Sequence, residues 1–341
     1  MFLHDLDAAS VGARLGLSED FNPWLEDLAS IEPSLPFRLP DMHEVDDLFA
    51  RLGISPADAA EIVDAWPNPE QSPELWWLLQ RCYQQLVAQT DNPYRSLHWQ
   101  TLPSHLGAAG RLFYIYVFLA AFPITRQRHQ EHAIPDAIAW ATLADLGEHI
   151  AIHRRVFGNA GLSSPRWLVH HFRGDIYRLG RLQFERTRLS TWQPIYDDII
   201  NKDVPGPKPT PDTPVLSVHI PESGGALEPA ACSASLALAR DFFARHFPEE
   251  PYHVGCCASW LLDPQLADYL PPTSNIVRFQ RMFHVVSHSS DGDPDVMQFV
   301  FRRTTTDSLD ELPQRTTLER AVVAHLRSGR HWQFSYGWLT L

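Results

Sequence analysis

Residues 215–303 constrain the fold more than any other stretch, because their elements alternate in a single order. A short apolar strand, Val215-Leu-Ser-Val-His-Ile220, runs into a turn region, Pro221-Glu-Ser-Gly-Gly-Ala-Leu227. A helix follows over 229–247, then a second strand over 252–262. The pattern continues as a helical segment ending in 274–283 and two strands, 284–288 and 296–303, read as a hairpin. A strand–helix–strand connection of this length suits a right-handed crossover. It predicts that 215–220 and 254–262 are parallel neighbours in one sheet. Leu216, Val218 and Ile220 share one face of the first strand, and Ser217 and His219 share the other.

The stretch up to about residue 170 reads differently. Residues 42–52 place Val45, Leu48, Phe49 and Leu52 on one helical face. Ser55 followed by Pro56 marks the start of the next helix, which runs through Ile62, Val63 and Trp66 and stops at Pro67. Residues 74–89 are amphipathic, and 106–122 are apolar nearly all round, as a central helix should be. Residues 135–157 read as one long helix closed by Gly158, and 165–172 as a short last one. Residues 176–189 change to strand character, and the Pro-rich segment 203–214 reads as a loop joining strands. Thr316-Thr-Leu-Glu319 is a capping box opening a helix to Ser328, with Gly329 as its stop. The aromatic tail 331–341 is a final strand or a packed extension. The expected boundary falls near Arg173, giving domains 1–172 and 173–341.

Composition narrows the classes. A chain of 341 residues suits about two domains. A net charge of −13 disfavours nucleic acid and anionic membrane as partners. The apolar run 112–122 is short of the roughly 20 residues that span a bilayer. No basic-then-apolar start marks a signal peptide, and Cys82, Cys232, Cys256 and Cys257 show no CxxC spacing. A cytoplasmic protein with reduced thiols is the expectation. His149 and His153 are spaced as metal ligands on one helix, but nothing nearby completes a set, so no metal is expected.

Strand, Gly-containing loop, helix, strand, helix and hairpin resemble the second half of a GNAT acyltransferase domain. The whole chain is similar to bacterial two-domain acyltransferase domain-containing proteins, which join a helical N-terminal domain to a GNAT-like one. The resemblance covers most of the chain by element order. It is most specific over 179–185, 218–221, 257–263 and 274–283. It implies an α+β architecture of two domains, all-helical then GNAT-like with a mixed sheet. It also implies that the two parallel strands splay apart to admit the pantetheine arm of an acyl-CoA co-substrate.

The resemblance also nominates residues. The family's phosphate loop, [Gln/Arg]-x-x-Gly-x-[Gly/Ala], matches at Gly224 and Ala226, while Pro221 replaces its polar first residue. Backbone from Ile220 through Gly224, Gly225 and Ala226 would hold the pyrophosphate. No lysine follows Lys208, so that attraction falls to the backbone. Asn275 begins a helix as a family Asn does, either as a ligand contact or as a cap. Where many members carry a proton-donating Tyr, this chain has Arg278, Phe279 or Gln280. Cys257 and Ser259 share one strand face and are placed to line the acyl tunnel.

Chemistry at the splay needs a base near neutral pH. His219 stands there, with Glu185 as a second base or an amine anchor. Cys257 is an alternative nucleophile. The leading function is an N-acyltransferase moving an acyl group from acyl-CoA to the amine of a small molecule or peptide. The alternatives are a non-catalytic GNAT-fold ligand-binding or interaction protein and a Cys-dependent thioester hydrolase.

Overall fold

The computed structural model describes residues 6–88, 97–202, 208–303 and 309–341. Gln89 at the end of one expected helix, and 203–207 of the expected loop, lie outside the described residues. The chain divides into two compact units, Met1–Tyr177 and Arg178–Leu341.

In the first unit the helices are α1 (Ala8–Arg14), α2 (Asn22–Ala29), α3 (Val45–Arg51), α4 (Pro56–Asp64) and α5 (Pro73–Ala88). They continue as α6 (Gly107–Glu131), α7 (Asp136–Leu143), α8 (Asp145–Phe157) and α9 (Pro165–Arg173). Among the described residues no strand precedes Ile176. Ser55 caps α4 as its sequence implies, its Oγ accepting the Asp58 N–H at 3.2 Å. The helix α6 is apolar all round because its middle, from Leu112 to Ala121, is buried on every side. By length and composition the run Ser104–Glu131 could cross a membrane, yet most of it lies inside the unit's core.

The expected single helix over 135–157 is instead two, α7 and α8, meeting at Ala144. Packing sets this break. A Cβ on Gly147 would lie 2.2 Å from the Leu52 carbonyl oxygen, so α8 passes close against the end of α3. Asp145, at the start of α8, is buried against α9. Nothing in local propensity announces either contact.

The second unit carries most of a mixed six-stranded sheet in the order β1-β2-β3-β4-β6-β5. The strands are β1 (Ile176–Leu179), β2 (Leu182–Arg188), β3 (Pro214–His219), β4 (Val254–Ser259), β5 (His284–Asp291) and β6 (Gln333–Thr340). The helix α10 (Gln193–Ile199) lies between β2 and β3 in the chain, where the sequence offered no clear element. The helix α11 (Pro229–His246) makes the crossover between β3 and β4, which are parallel, as expected. After β4 come α12 (Asn275–Gln280), α13 (Asp293–Val296) and α14 (Thr317–Arg327). Thr316 and Glu319 form the capping box of α14.

The expected hairpin of 284–288 with 296–303 is not formed. Residues 293–301 are helical, as α13 followed by a π-helical turn, Met297–Phe301. The partner of β5 is β6, the aromatic tail. The run Val296-Met-Gln-Phe-Val-Phe301 has strand-like composition, but Val296 packs with Val322 and Trp332, and Met297 with Val323. Burial among these helical neighbours outweighs intrinsic strand preference.

One sheet face is covered by α10. Ile195 and Ile199 pack on Val215, Val254, Cys256 and Trp338. By alternation Ser217 and His219 lie on this face, and Leu216 and Val218 on the other. Arg186, beside Leu216 on that other face, stacks its guanidinium 4.0 Å over Phe247 at the end of α11.

Candidate active site

The parallel pair β3–β4 is registered at only two positions, Leu216 with Gly255 and Ser217 with Cys256. Both strands run on, β3 to His219 and β4 to Ser259, without a further pair between them. The two strands therefore part at their C-terminal ends. On its far side β4 stays fully paired with β6, from Val254 opposite Thr340 to Ser259 opposite Ser335. The edge of β4 toward β3 thus offers backbone N–H and C=O groups to an extended ligand.

His219 stands at the end of β3 beside this gap. Its Nε2 lies 2.8 Å from Glu185 Oε2 and 2.8 Å from Ser217 Oγ. The β2–β3 register explains the grouping. Glu185 is opposite Ser217 and Gln183 is opposite His219, so all four share one face. The histidine side chain is 28% exposed and the carboxylate 17%, so the cluster meets solvent while keeping its own hydrogen bonds. The structure brings together the expected pair His219 and Glu185, and adds Ser217, which spacing alone had left as a strand neighbour.

Cys257 is not brought to His219. The register pairs Ser217 with Cys256, so Cys256 shares the histidine's face and Cys257 points to the opposite one. Burial pushes the Cys257 thiol up to about 12, and Cys256 is raised as well. A thiol kept protonated and turned away from the base is poorly disposed to nucleophilic attack, which disfavours the thioester hydrolase reading. Ser259 shares the Cys257 face, and its Oγ accepts the Leu261 N–H at 3.1 Å. Trp260 is core, packed with Leu266 and Trp332.

Beyond β3 the chain turns through the loop 221–228, exposed at Gly224, Gly225 and Ala226, into α11. Gly224 and Gly225 have φ of +93° and +83°, a conformation that excludes most side chains. Ile220 leads into this loop and Ala226 leaves it, exposed. Of the loop's two acids, Glu222 is ion-paired with Arg302 and Glu228 stands at the start of α11. Cations come from the end of β1 and the turn that follows it. Arg178 Nη2 donates to Ser223 Oγ at 2.6 Å, and Arg181 Nη1 donates to the Pro221 carbonyl at 3.1 Å. Their only sequence signal is the i, i+3 spacing about Gly180.

Asn275 is not the cap of α12. Ser274 is, with its Oγ accepting the Val277 N–H at 3.3 Å. None of the three residues at the family's acid position is placed to protonate a thiolate. Arg278 is exposed and Phe279 is buried. The Gln280 amide donates to the carbonyls of Leu261 and Asp263 at 2.9 and 2.8 Å. His149 and His153 do not act together either. His149 Nε2 sits 3.4 Å from Asp145, and His153 Nδ1 is 3.0 Å from the Asn159 carbonyl. Among the described residues no group of three or more His, Cys, Asp or Glu side chains is placed to hold a metal.

Comparison with known proteins meets this geometry. A model of the N-acyltransferase N-terminal domain matches residues 43–174, and one of the GNAT-like C-terminal domain matches residues 176–339. A solved acyltransferase in complex with decanoyl-CoA and teicoplanin is 42% identical, with a TM-score of 0.88 over 98% of this chain and 100% of that one. The chain belongs to this family of two-domain acyltransferases. An acyltransferase structure with CoA and 10C-teicoplanin shows the same identity, TM-score and coverage. Another, with decanoyl-CoA, is 43% identical at a TM-score of 0.87, again over 98% and 100%. Among curated proteins no sequence matches. Membership makes the chain an enzyme of acyl transfer, and the non-catalytic reading is set aside.

Proposed function

We propose that this acyltransferase takes its acyl group from acyl-CoA and delivers it to an amine of a glycopeptide. Residues 1–172 would form its all-helical domain and 173–341 its GNAT-like domain. The observation that carries the reading is the parting of β3 and β4 after Ser217 and Cys256, directly before the Gly224–Gly225 loop. A strand edge of this kind pairs with the amide-rich pantetheine arm, and the loop lies where the pyrophosphate would follow. The glycopeptide acceptor is suggested by relatives whose crystals hold teicoplanin or 10C-teicoplanin together with CoA or its decanoyl thioester.

His219 is the base in this proposal. Held through Nε2 by Glu185 and Ser217, the imidazole would take the proton as the amine attacks the thioester carbonyl. Glu185 fixes the ring and stabilises the imidazolium that forms. The N–C bond forms, the C–S bond breaks, and the thiolate leaves as CoA without a tyrosine acid. Ser259 and Asn275 would contact the donor along its path.

The test is to incubate the protein with decanoyl-CoA and a glycopeptide that carries a primary amine. Acylated product would be followed by mass spectrometry and free CoA by thiol titration. One CoA released per acyl group transferred is the expected result. CoA release without acylated glycopeptide, or neither product, would overturn the proposal.

A further inference from the structure

Arg181 is a buried residue, 8% exposed. Its hydrogen-bond partners among the described residues are all neutral. Nη1 donates to the Pro221 carbonyl at 3.1 Å, Nε to the Ala226 carbonyl at 3.3 Å, and its backbone N–H to Ser235 Oγ at 2.8 Å. No carboxylate pairs with it among the described residues. A second cation stands beside it. Arg178, near the end of β1, donates to Ser223 Oγ at 2.6 Å. A Cβ on Gly224 would lie 3.2 Å from Arg178 Nη2 and 3.7 Å from Arg181 Cδ, so both side chains lie beside the glycine. Burial first, and then Arg178, lower the Arg181 pKa, although the Cys232 thiol works the other way. A buried guanidinium bonded only to neutral groups, with a second cation nearby, is costly unless an anion joins it.

The turn that carries Arg181 is held in place. Gly180, at φ +75°, would clash with Ser235 Oγ if it carried a Cβ, at 2.9 Å. Ser235 on α11 also accepts the Arg181 and Leu182 N–H groups at 2.8 and 3.3 Å. The β1–β2 turn is therefore docked on the helix whose N-terminus the loop enters. Arg181 then spans the loop from its first carbonyl, at Pro221, to Ala226.

We propose that Arg178 and Arg181 form the cationic half of the site for the acyl-CoA pyrophosphate. Arg178 contacts a phosphoryl oxygen, and Arg181 is a positioning residue that holds the loop open from Pro221 to Ala226 while placing its charge beneath it. The cation absent at position 221 is thus supplied from a hairpin of another part of the chain. Guanidinium suits this task, because its planar fork of donors matches phosphate oxygens. This rests on acyl-CoA being the donor.

The experiment compares decanoyl-CoA with decanoyl-pantetheine, which lacks the phosphates, in wild type, Arg178→Gln and Arg181→Lys. Lysine at 181 keeps the charge but lacks the planar fork whose Nε and Nη1 reach the two carbonyls. Both variants are expected to raise KM for decanoyl-CoA about tenfold or more, the scale of a lost charge-assisted hydrogen bond, with kcat kept. Turnover of decanoyl-pantetheine should stay at the wild-type level. A wild-type KM for decanoyl-CoA in both variants overturns the proposal and leaves the acyl-CoA reading standing. Equal losses on the two donors would mean general damage to the loop, and also overturn it. A wild-type protein that uses neither donor removes the acyl-CoA reading itself.

Discussion

Of the clusters that pair a carboxylate with histidine among the described residues, two differ sharply in enclosure. In the sheet, Glu185 and His219 meet at 2.8 Å beside Ser217, with side chains 17% and 28% exposed. In the first unit, Asp145 meets His171 Nε2 at 3.1 Å, His149 Nε2 at 3.4 Å and Trp167 Nε1 at 2.9 Å. There the carboxylate is 3% exposed and His171 not at all. Burial raises the Asp145 carboxyl, but the charges and hydrogen bonds of His171 and His149 outweigh it and hold the group well below the usual carboxylate range. The same functional groups thus serve two ends. Closed off and saturated with donors, they hold α8 to α9. Placed where two strands part, they are available to a substrate.

The largest expected effect tests the closed cluster. Asp145→Ala leaves two histidines and an indole without their acceptor, and should cost about 3–5 kcal/mol of stability, read as a fall in the chemical-denaturation midpoint. Turnover per folded molecule should be retained. Stability near wild type would show that the cluster does not hold the helices.

A second buried histidine sharpens the contrast. His129, on α6, is 1% exposed, and neither ring nitrogen has a hydrogen-bond partner among the described residues. Burial, with Arg126 and His132 nearby, lowers its pKa to about 4 from an ordinary 6.5. A depressed value means that the unfolded chain binds the proton more readily. Stability from His129 is therefore full above about pH 6.5 and is lost as pH falls toward 4, by about 3 kcal/mol. His129→Leu should flatten the stability–pH curve across that window. An unchanged acid limb would place the sensitivity elsewhere, and Asp145 would contribute only at still lower pH.

The smallest effect is expected at the thiol. Cys257→Ala removes one small buried group and should cost about 1 kcal/mol. Turnover should be unaltered, and decanoyl-CoA without acceptor should leave no acyl adduct on the protein in a mass spectrum. An adduct lost on substitution would restore the thiol mechanism.

The sequence made the β3–α11–β4 crossover legible, because each element is bounded by Gly or Pro and keeps one period throughout. His219 and Glu185 were legible as candidates for a similar reason, since strand alternation puts Ser217 and His219 on one face. The side occupied by Cys257 was not, because a one-residue change of register between β3 and β4 would exchange it with Cys256. The pairing of β5 with β6 joins strands separated by α13 and α14, and no local pattern encodes it. Arg178 and Arg181 were hidden for the same physical reason. They act on a loop some forty residues further along the chain, and only the docking of Gly180 against Ser235 brings them there.

The most direct measurement is the turnover of His219→Ala with decanoyl-CoA and a glycopeptide amine, set beside its melting temperature. A base at the point where β3 leaves β4 predicts a loss of roughly 10²-fold or more at neutral pH with the melting temperature little changed. Turnover within a few-fold of wild type, or a loss matched by unfolding, would contradict it and place His219 with Asp145 among the groups that only hold the structure together.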